Sequence, residues 1–211
     1  MTVEVWWARI DQARDEFAGD LDEVEHGRLA AYRRDEDKAR FLLGCTIVRR
    51  LLAARFSLPA AKVRLDRTCP DCGKPHGKVR ADDVELSVTH AGELVGVAVG
   101  DHPVGLDVEK VDPGIDIDAV ARMSLAEEEL RELARYDGIA KAEVFTRYWT
   151  RKEAVVKATG AGLRTDLRTV TIPDGTHLRD LAVDPHHRAA LAVVSVEPPV
   201  VQVNDATQLL I

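Results

Sequence analysis

Residues 145–160 read FTRYWTRKEAVVKATG, and one lysine within them separates a plain core helix from the wall of a binding cleft. A helix advances about 100° per residue. With Trp149 taken as zero, Phe145, Tyr148, Val155 and Val156 fall within an apolar arc of roughly 120°, the width of a core-facing stripe. Lys152 lies in the middle of that arc. Arg147, Thr150, Arg151, Ala154 and Ala158 occupy the opposite side, which reads as the solvent face. Glu153 and Lys157, one helical turn apart, stand side by side at the edge nearest the tryptophan. On one reading Lys152 snorkels out of a core and Glu153 with Lys157 is a surface pair. On the other, this helix face meets an anion and a cation, and the rest of the chain must supply the remaining walls.

Bulk properties narrow the choice. With 211 residues the chain is long enough for a full core, as one domain or two small halves. Hydrophobic content of 45% and charged content of 31% place it among ordinary globular proteins. No apolar run approaches a membrane span, and the N-terminal MTVEVWWARIDQARDE lacks a secretory pattern, so the expected location is cytoplasmic and no membrane partner is expected. A net charge of -7 argues against nucleic acid as a partner, because phosphate backbones are bound through basic stripes. Any phosphate-bearing ligand must then be held by local cations. Three cysteines, an odd number, fit a reducing compartment better than a disulfide framework.

Along the chain, residues 3–10 read as an opening strand, and residues 21–34 and 35–58 as helices, the second with Phe41, Cys45, Val48 and Leu52 on one face and Asp35 as its cap. After the loop TCPDCGKPHGK come three valine-rich strands at 84–90, 93–100 and 103–111. Residues 115–136 read as one helix, 141–159 as the helix quoted above, and TVTI (169–172), RAALAVVSVE (188–197) and VVQV (200–203) as strands. The order gives an α+β chain of two halves, 1–105 and 106–211.

Three groups of residues carry chemistry. Asp107 and Glu109 in VGLDVEKV lie two apart, so on a strand both carboxylates leave from one face while Leu106 and Val108 leave from the other. Such a pair repels itself unless a cation lies between, and Mg²⁺ suits two oxygen ligands plus substrate phosphates; an exposed strand edge would carry the same pattern with no ligand. SVTH places Ser87, Thr89 and His90 at a strand end, where hydroxyls and an imidazole could bind phosphate oxygens or simply serve the fold. CPDCGKPH sets Cys69, Cys72 and His76 at the spacing of half a zinc site, one ligand short, with the cation Lys74 in the same loop.

VGLDVE followed by WTRKEAVVKATG resembles the 4'-phosphopantetheinyl transferases of the Sfp (surfactin synthetase-activating) type, whose signature is G-[VI]-D-[VI]-E and then W-x-x-K-E-[AS]-x-x-K. Gly105, Asp107 and Glu109 match the first motif; Trp149, Lys152, Glu153, Ala154 and Lys157 match the second. GKP at 73–75 looks like the family's GKP loop, SVTH is similar to its [NS]-x-S-H with Thr89 in place of serine, and Arg28 falls where a basic residue contacts coenzyme A. The likeness covers about residues 25–165.

The resemblance implies two similar α/β halves in one chain with the ligand in the cleft between them. It implies transfer of the 4'-phosphopantetheine arm of coenzyme A to a serine of an apo acyl or peptidyl carrier protein of polyketide, nonribosomal peptide or fatty acid synthesis, with adenosine 3',5'-bisphosphate released. The tryptophan-lysine-glutamate-alanine variant looks like the branch serving polyketide and nonribosomal peptide carriers. On this footing Asp107, Glu109 and Glu153 are the expected ligands of Mg²⁺, with Mn²⁺ as the alternative. Glu153 is the expected base, and Lys157 meets the leaving phosphate. Lys74, His90 and Thr89, with Ser87 and Arg28, are expected at the 3'-phosphate, and Lys152 faces phosphates or braces the carboxylates. The segment 115–133, with Met123 and Leu125, is the expected docking surface, and the expected state is a monomer. Two other readings share these residues: a metal-dependent hydrolase of the coenzyme A pyrophosphate, and a zinc-stabilised binding module built on the cysteine loop.

Overall fold

The computed structural model describes residues 1–69, 72–75, 77–162 and 165–211. It is an α+β structure in two compact units, each with its own sheet: Thr2–Asp101 with Val201–Ile211, and Met1 with His102–Val200. The last eleven residues thus return to the first unit.

In the first unit, strands β1 (Thr2–Arg9), β2 (Glu85–Ala91) and β3 (Leu94–Gly100), together with the C-terminal β7 (Val200–Asp205), form a sheet ordered β2-β3-β1-β7. Strand β3 is buried along its whole length, which its near-continuous valine run anticipates. Helix α2 (Asp35–Phe56) crosses the sheet and buries Leu43, Ile47 and Leu52 in a core shared with Phe17, Leu86, Val95 and Val97. Asp35 is the helix's first residue and makes no side-chain cap; with Glu36 and Asp37 it instead places negative charge at the positive end of the helix dipole. Helix α1 (Glu23–Ala31) starts with a reciprocal cap, Asp22 accepting from the Glu25 amide at 2.8 Å. Arg49, fully buried, is held by Glu25, Asp22 and the carbonyls of Ala60 and Val63. That set satisfies a charge that would otherwise be costly to bury.

The second unit has the sheet β4-β6-β5, from β4 (Val104–Lys110), β5 (Thr176–Leu181) and β6 (His187–Val194). Helix α5 (Gly138–Thr159) packs on it through Ala154, Val155 and Ala158 against Ala190 and Ala192. It buries Ala142, Val144 and Phe145 in a second cluster with α3 (Ile117–Ser124) and Leu133 of α4 (Glu127–Leu133). The helix ends at Gly160, whose φ of 70° and amide bond to Val156 O form a left-handed cap. The side of α5 expected to face solvent is therefore the one laid on the sheet: Ala154 and Ala158 are small because a sheet lies against them.

Three local expectations fail for identifiable reasons. The helix expected over 115–136 is broken after Ser124, whose hydroxyl donates to Val120 O (2.9 Å), and restarts where Glu129 Oε2 accepts from the Ala126 amide (2.7 Å). The break buries Leu125, so of the two expected docking residues only Met123, 69% exposed, reaches solvent. TVTI is not a strand, because Asp166 caps a 3-10 turn at Leu167–Thr169 that takes up its first residue. The strand that does form, β5, reads THLRDL and was hidden by its charges, which an edge strand tolerates.

Candidate active site

The second unit gathers the acidic strand motif and the lysine-glutamate helix. On β4, Gly105, Asp107 and Glu109 share one face by the two-residue period, and Leu106 and Val108 are fully buried on the other. The Gly105 face is the one against α5: a Cβ built there would lie 2.0 Å from Ala154 O and 2.5 Å from the Ala158 amide nitrogen. No side chain fits, so strand and helix backbones touch directly. That contact brings the Lys157 ammonium within reach of the strand. It donates to Asp107 Oδ1 at 2.6 Å and to Leu106 O at 3.1 Å.

Asp107 is 4% exposed, and Lys157 is its ion-pair partner from the helix. The neighbouring carboxyls feel both. Burial pushes the Glu109 carboxyl up to about 7; the charge of Asp107 adds to this, Lys157 opposes it and Glu153 adds to it. Glu153 is also raised, by burial first and then by Asp107, again against Lys157. Three carboxyls from a strand and a helix are thus close enough to bias one another's protonation, with the Lys157 ammonium among them. Among the described residues, however, no three His, Cys, Asp or Glu side chains form a group that could hold a metal ion. The expected ligand set Asp107, Glu109 and Glu153 is therefore electrostatically coupled without being gathered for coordination, and the cation on Asp107 is Lys157.

Glu153 also lines a cavity of about 290 Å³, walled by Val120 and Met123 of α3, Trp149 and Val156 of α5, and Leu167. Phe145 supports Trp149, with ring centroids 6.0 Å apart.

Lys152 is 4% exposed and turns away from this group. Its ammonium lies 2.9 Å from Glu129 Oε2 and donates to Leu167 O at 2.8 Å, with Val170 O at 3.5 Å. The lysine in the apolar arc does not snorkel to solvent; its ammonium is engaged by Glu129 and two carbonyls. It is a buried tie to α4 and to the turn after α5. Sequence reasoning missed Glu129 as its partner because the pairing is tertiary.

In the first unit, β2 places Ser87 and Thr89 on one face, both buried, and His90 on the other, exposed. Lys74 is exposed. The Arg28 guanidinium stacks over Phe41, 4.9 Å from the ring centroid. Strand alternation thus separates His90 from the two hydroxyls that the sequence grouped with it. Cys69 and Cys72 form no disulfide, and His76, the third member of that motif, lies outside the described residues. No helix among the described residues is long and apolar enough to cross a membrane.

Residues 103–196, which contain the whole of β4 and α5, match the family described as the 4'-phosphopantetheinyl transferase superfamily. The chain is 23% identical over 203 residues to the 4'-phosphopantetheinyl transferase Sfp of Bacillus subtilis, covering 89% of this chain and 88% of that protein. It is 30% identical over 135 residues to the 4'-phosphopantetheinyl transferase psf-1 of Bacillus pumilus (64% and 56%). It is 28% identical over 167 residues to the 4'-phosphopantetheinyl transferase HetI of Nostoc sp. (76% and 70%). Thus the match spans little more than half of the Bacillus pumilus protein and most of Sfp.

Proposed function

We propose, from the match of residues 103–196 to the 4'-phosphopantetheinyl transferase superfamily, that this chain transfers the phosphopantetheine arm of coenzyme A to a serine of an apo acyl or peptidyl carrier protein. The observation that carries this reading is the ion pair of Asp107 and Lys157 across the Gly105 crossing, with the raised carboxyls of Glu109 and Glu153 around it. A cluster of this kind, acidic groups held near neutrality beside an ammonium, suits proton removal from a hydroxyl next to a phosphate that gathers charge.

In this reading Glu153 accepts the proton of the carrier serine. Its raised affinity for protons moves it toward the operating pH of a general base. The serine oxygen bonds to the phosphorus that bears the pantetheine arm. The pyrophosphate bond breaks, and its electron pair leaves on adenosine 3',5'-bisphosphate beside the Lys157 ammonium. Asp107 keeps that ammonium in place. Asp107, Glu109 and Glu153 offer the oxygen donors that a hard divalent cation takes, and these are the residues that would have to draw together, with Asp107 now paired to Lys157, to hold Mg²⁺ or Mn²⁺. The bound ion would supply charge neutralisation at the pyrophosphate.

The same reading gives Lys74, His90, Ser87, Thr89 and Arg28 of the first unit to the 3'-phosphate end of coenzyme A, and takes the two units as similar halves of one monomeric enzyme. The W-x-x-K-E-A pattern favours polyketide and nonribosomal peptide carriers, with fatty acid synthesis as the further setting. The test is release of adenosine 3',5'-bisphosphate from coenzyme A and magnesium. Release that requires an apo carrier supports transfer; equal release without one makes the protein a hydrolase and overturns the proposal.

A further inference from the structure

Lys152 stands beside Glu153 in the chain, yet nothing in the proposed chemistry employs it. Its ammonium joins three elements: α5 itself, the first turn of α4 through Glu129, and the segment after α5 through the carbonyls of Leu167 and Val170. Glu129 Oε2 is already committed to the Ala126 amide, so the lysine lands on an oxygen fixed at the start of α4.

The segment it grips is thin. Asp166 borders the 290 Å³ cavity beside Glu153 on one side and, with Arg168 and Thr169, a second cavity of about 470 Å³ on the other. A partition with space on both faces gains little from apolar packing. Its internal bonds, Asp166 Oδ1 accepting from the Arg168 amide and Thr169 Oγ1 donating to Asp166 O, fix the shape of the turn but not where it sits. Lys152 supplies the position: Leu167 is both its acceptor and part of the wall that faces Glu153.

We propose that Lys152 is a positioning residue, a latch that seats residues 165–170 against α5 so that the cavity beside Glu153 keeps its wall for the incoming substrate. The proposal rests on the transferase reading for its kinetic consequence only. Hydrogen bonds from a buried charge are among the stronger ones, and losing them unseats what they hold.

The experiment compares the full-length wild type, Lys152→Met, and the double variant Lys152→Met with Glu129→Gln. Melting temperature, amide hydrogen exchange at Thr169 and Val170, and steady-state kinetics with coenzyme A and an apo carrier are measured on each. Removing only the lysine strands the Glu129 charge; removing both charges relieves that cost. Lys152→Met is expected to lower the melting temperature, to speed exchange at those two amides at least about tenfold relative to α5, and to raise KM for the carrier about tenfold with kcat within about threefold. The double variant is expected to recover melting temperature while exchange stays fast and KM stays high. Recovery of all three together would reduce Lys152 to a counterion of Glu129 and overturn the latch, as would unchanged exchange in Lys152→Met. If the wild type transfers nothing, the transferase reading fails while the exchange measurement still decides the latch.

Discussion

Asp107 on β4 and Lys157 on α5 are joined by a 2.6 Å ion pair at a strand–helix crossing that leaves no room for a side chain at residue 105. Asp107 is buried and Lys157 is partly exposed, so the pair is asymmetric: the carboxylate depends on the ammonium more than the reverse. Replacing Lys157 with Met should therefore cost about 3 kcal/mol of stability, the lower end for breaking a buried pair. Urea denaturation would show it as a lower midpoint at unchanged slope. A midpoint within error of the wild type would mean that Asp107 is not held by this lysine.

Gly105→Ala should be harsher than its size implies. The new Cβ meets backbone atoms of Ala154 and Ala158, which cannot rotate aside. Overpacking of this kind costs typically about 1–3 kcal/mol and occasionally more. The strand must also move away from α5, so loss of turnover should exceed the loss of folded protein. Thermal melting with activity per folded molecule checks both; full stability and activity in Gly105→Ala would contradict the close crossing.

Glu109 makes stability depend on pH in an unusual direction for a carboxyl. Its ordinary value of 4.5 is pushed up to about 7 in the folded protein. Between these values the folded state holds a proton that the unfolded chain has released, so this group's contribution falls as pH rises from about 4.5 through about 7. In chelator-treated protein, the melting temperature of the wild type should decline across that window relative to Glu109→Gln and run parallel to it above about 8. Parallel curves throughout would show that Glu109 titrates as an ordinary surface carboxylate.

Glu153→Gln keeps the side chain's volume and removes its ability to take a proton. General-base loss is worth about 10²–10⁴ in rate. Turnover should fall by that order while the affinity for coenzyme A, read by calorimetry, changes little. Turnover at the wild-type rate in the E153Q enzyme would remove Glu153 from the chemistry.

What the sequence revealed follows from the range of the forces involved. Two-residue alternation put Asp107 and Glu109 on one face, and the helical repeat put Glu153 beside Lys157, because both are local geometry. The α+β character was readable for the same reason. The solvent face assigned to α5 was wrong because Ala154 and Ala158 are mute about their environment: a small residue suits water and a close-packed sheet equally. Lys152 could not be placed from α5 alone, since Glu129 and the Leu167 carbonyl approach from other elements. Gly105 was readable as part of a motif, but its reason, the backbone of α5 at van der Waals contact, exists only once strand and helix have met. Strand β5 was missed because Arg179 and Asp180 look like loop residues until Arg151 is seen to pair with Asp180 at 2.7 Å.

In the proposed function the cluster of Asp107, Glu109, Glu153 and Lys157 moves a phosphopantetheine group onto a protein hydroxyl. Intact-protein mass spectrometry of an apo carrier, after incubation with this chain, coenzyme A and magnesium, reads that event directly. A single added phosphopantetheine is expected, located on one serine and formed at least about a hundredfold more slowly when Glu153→Gln replaces the wild type. A panel of acyl and peptidyl carriers all remaining at their apo mass, with coenzyme A binding intact, would contradict it.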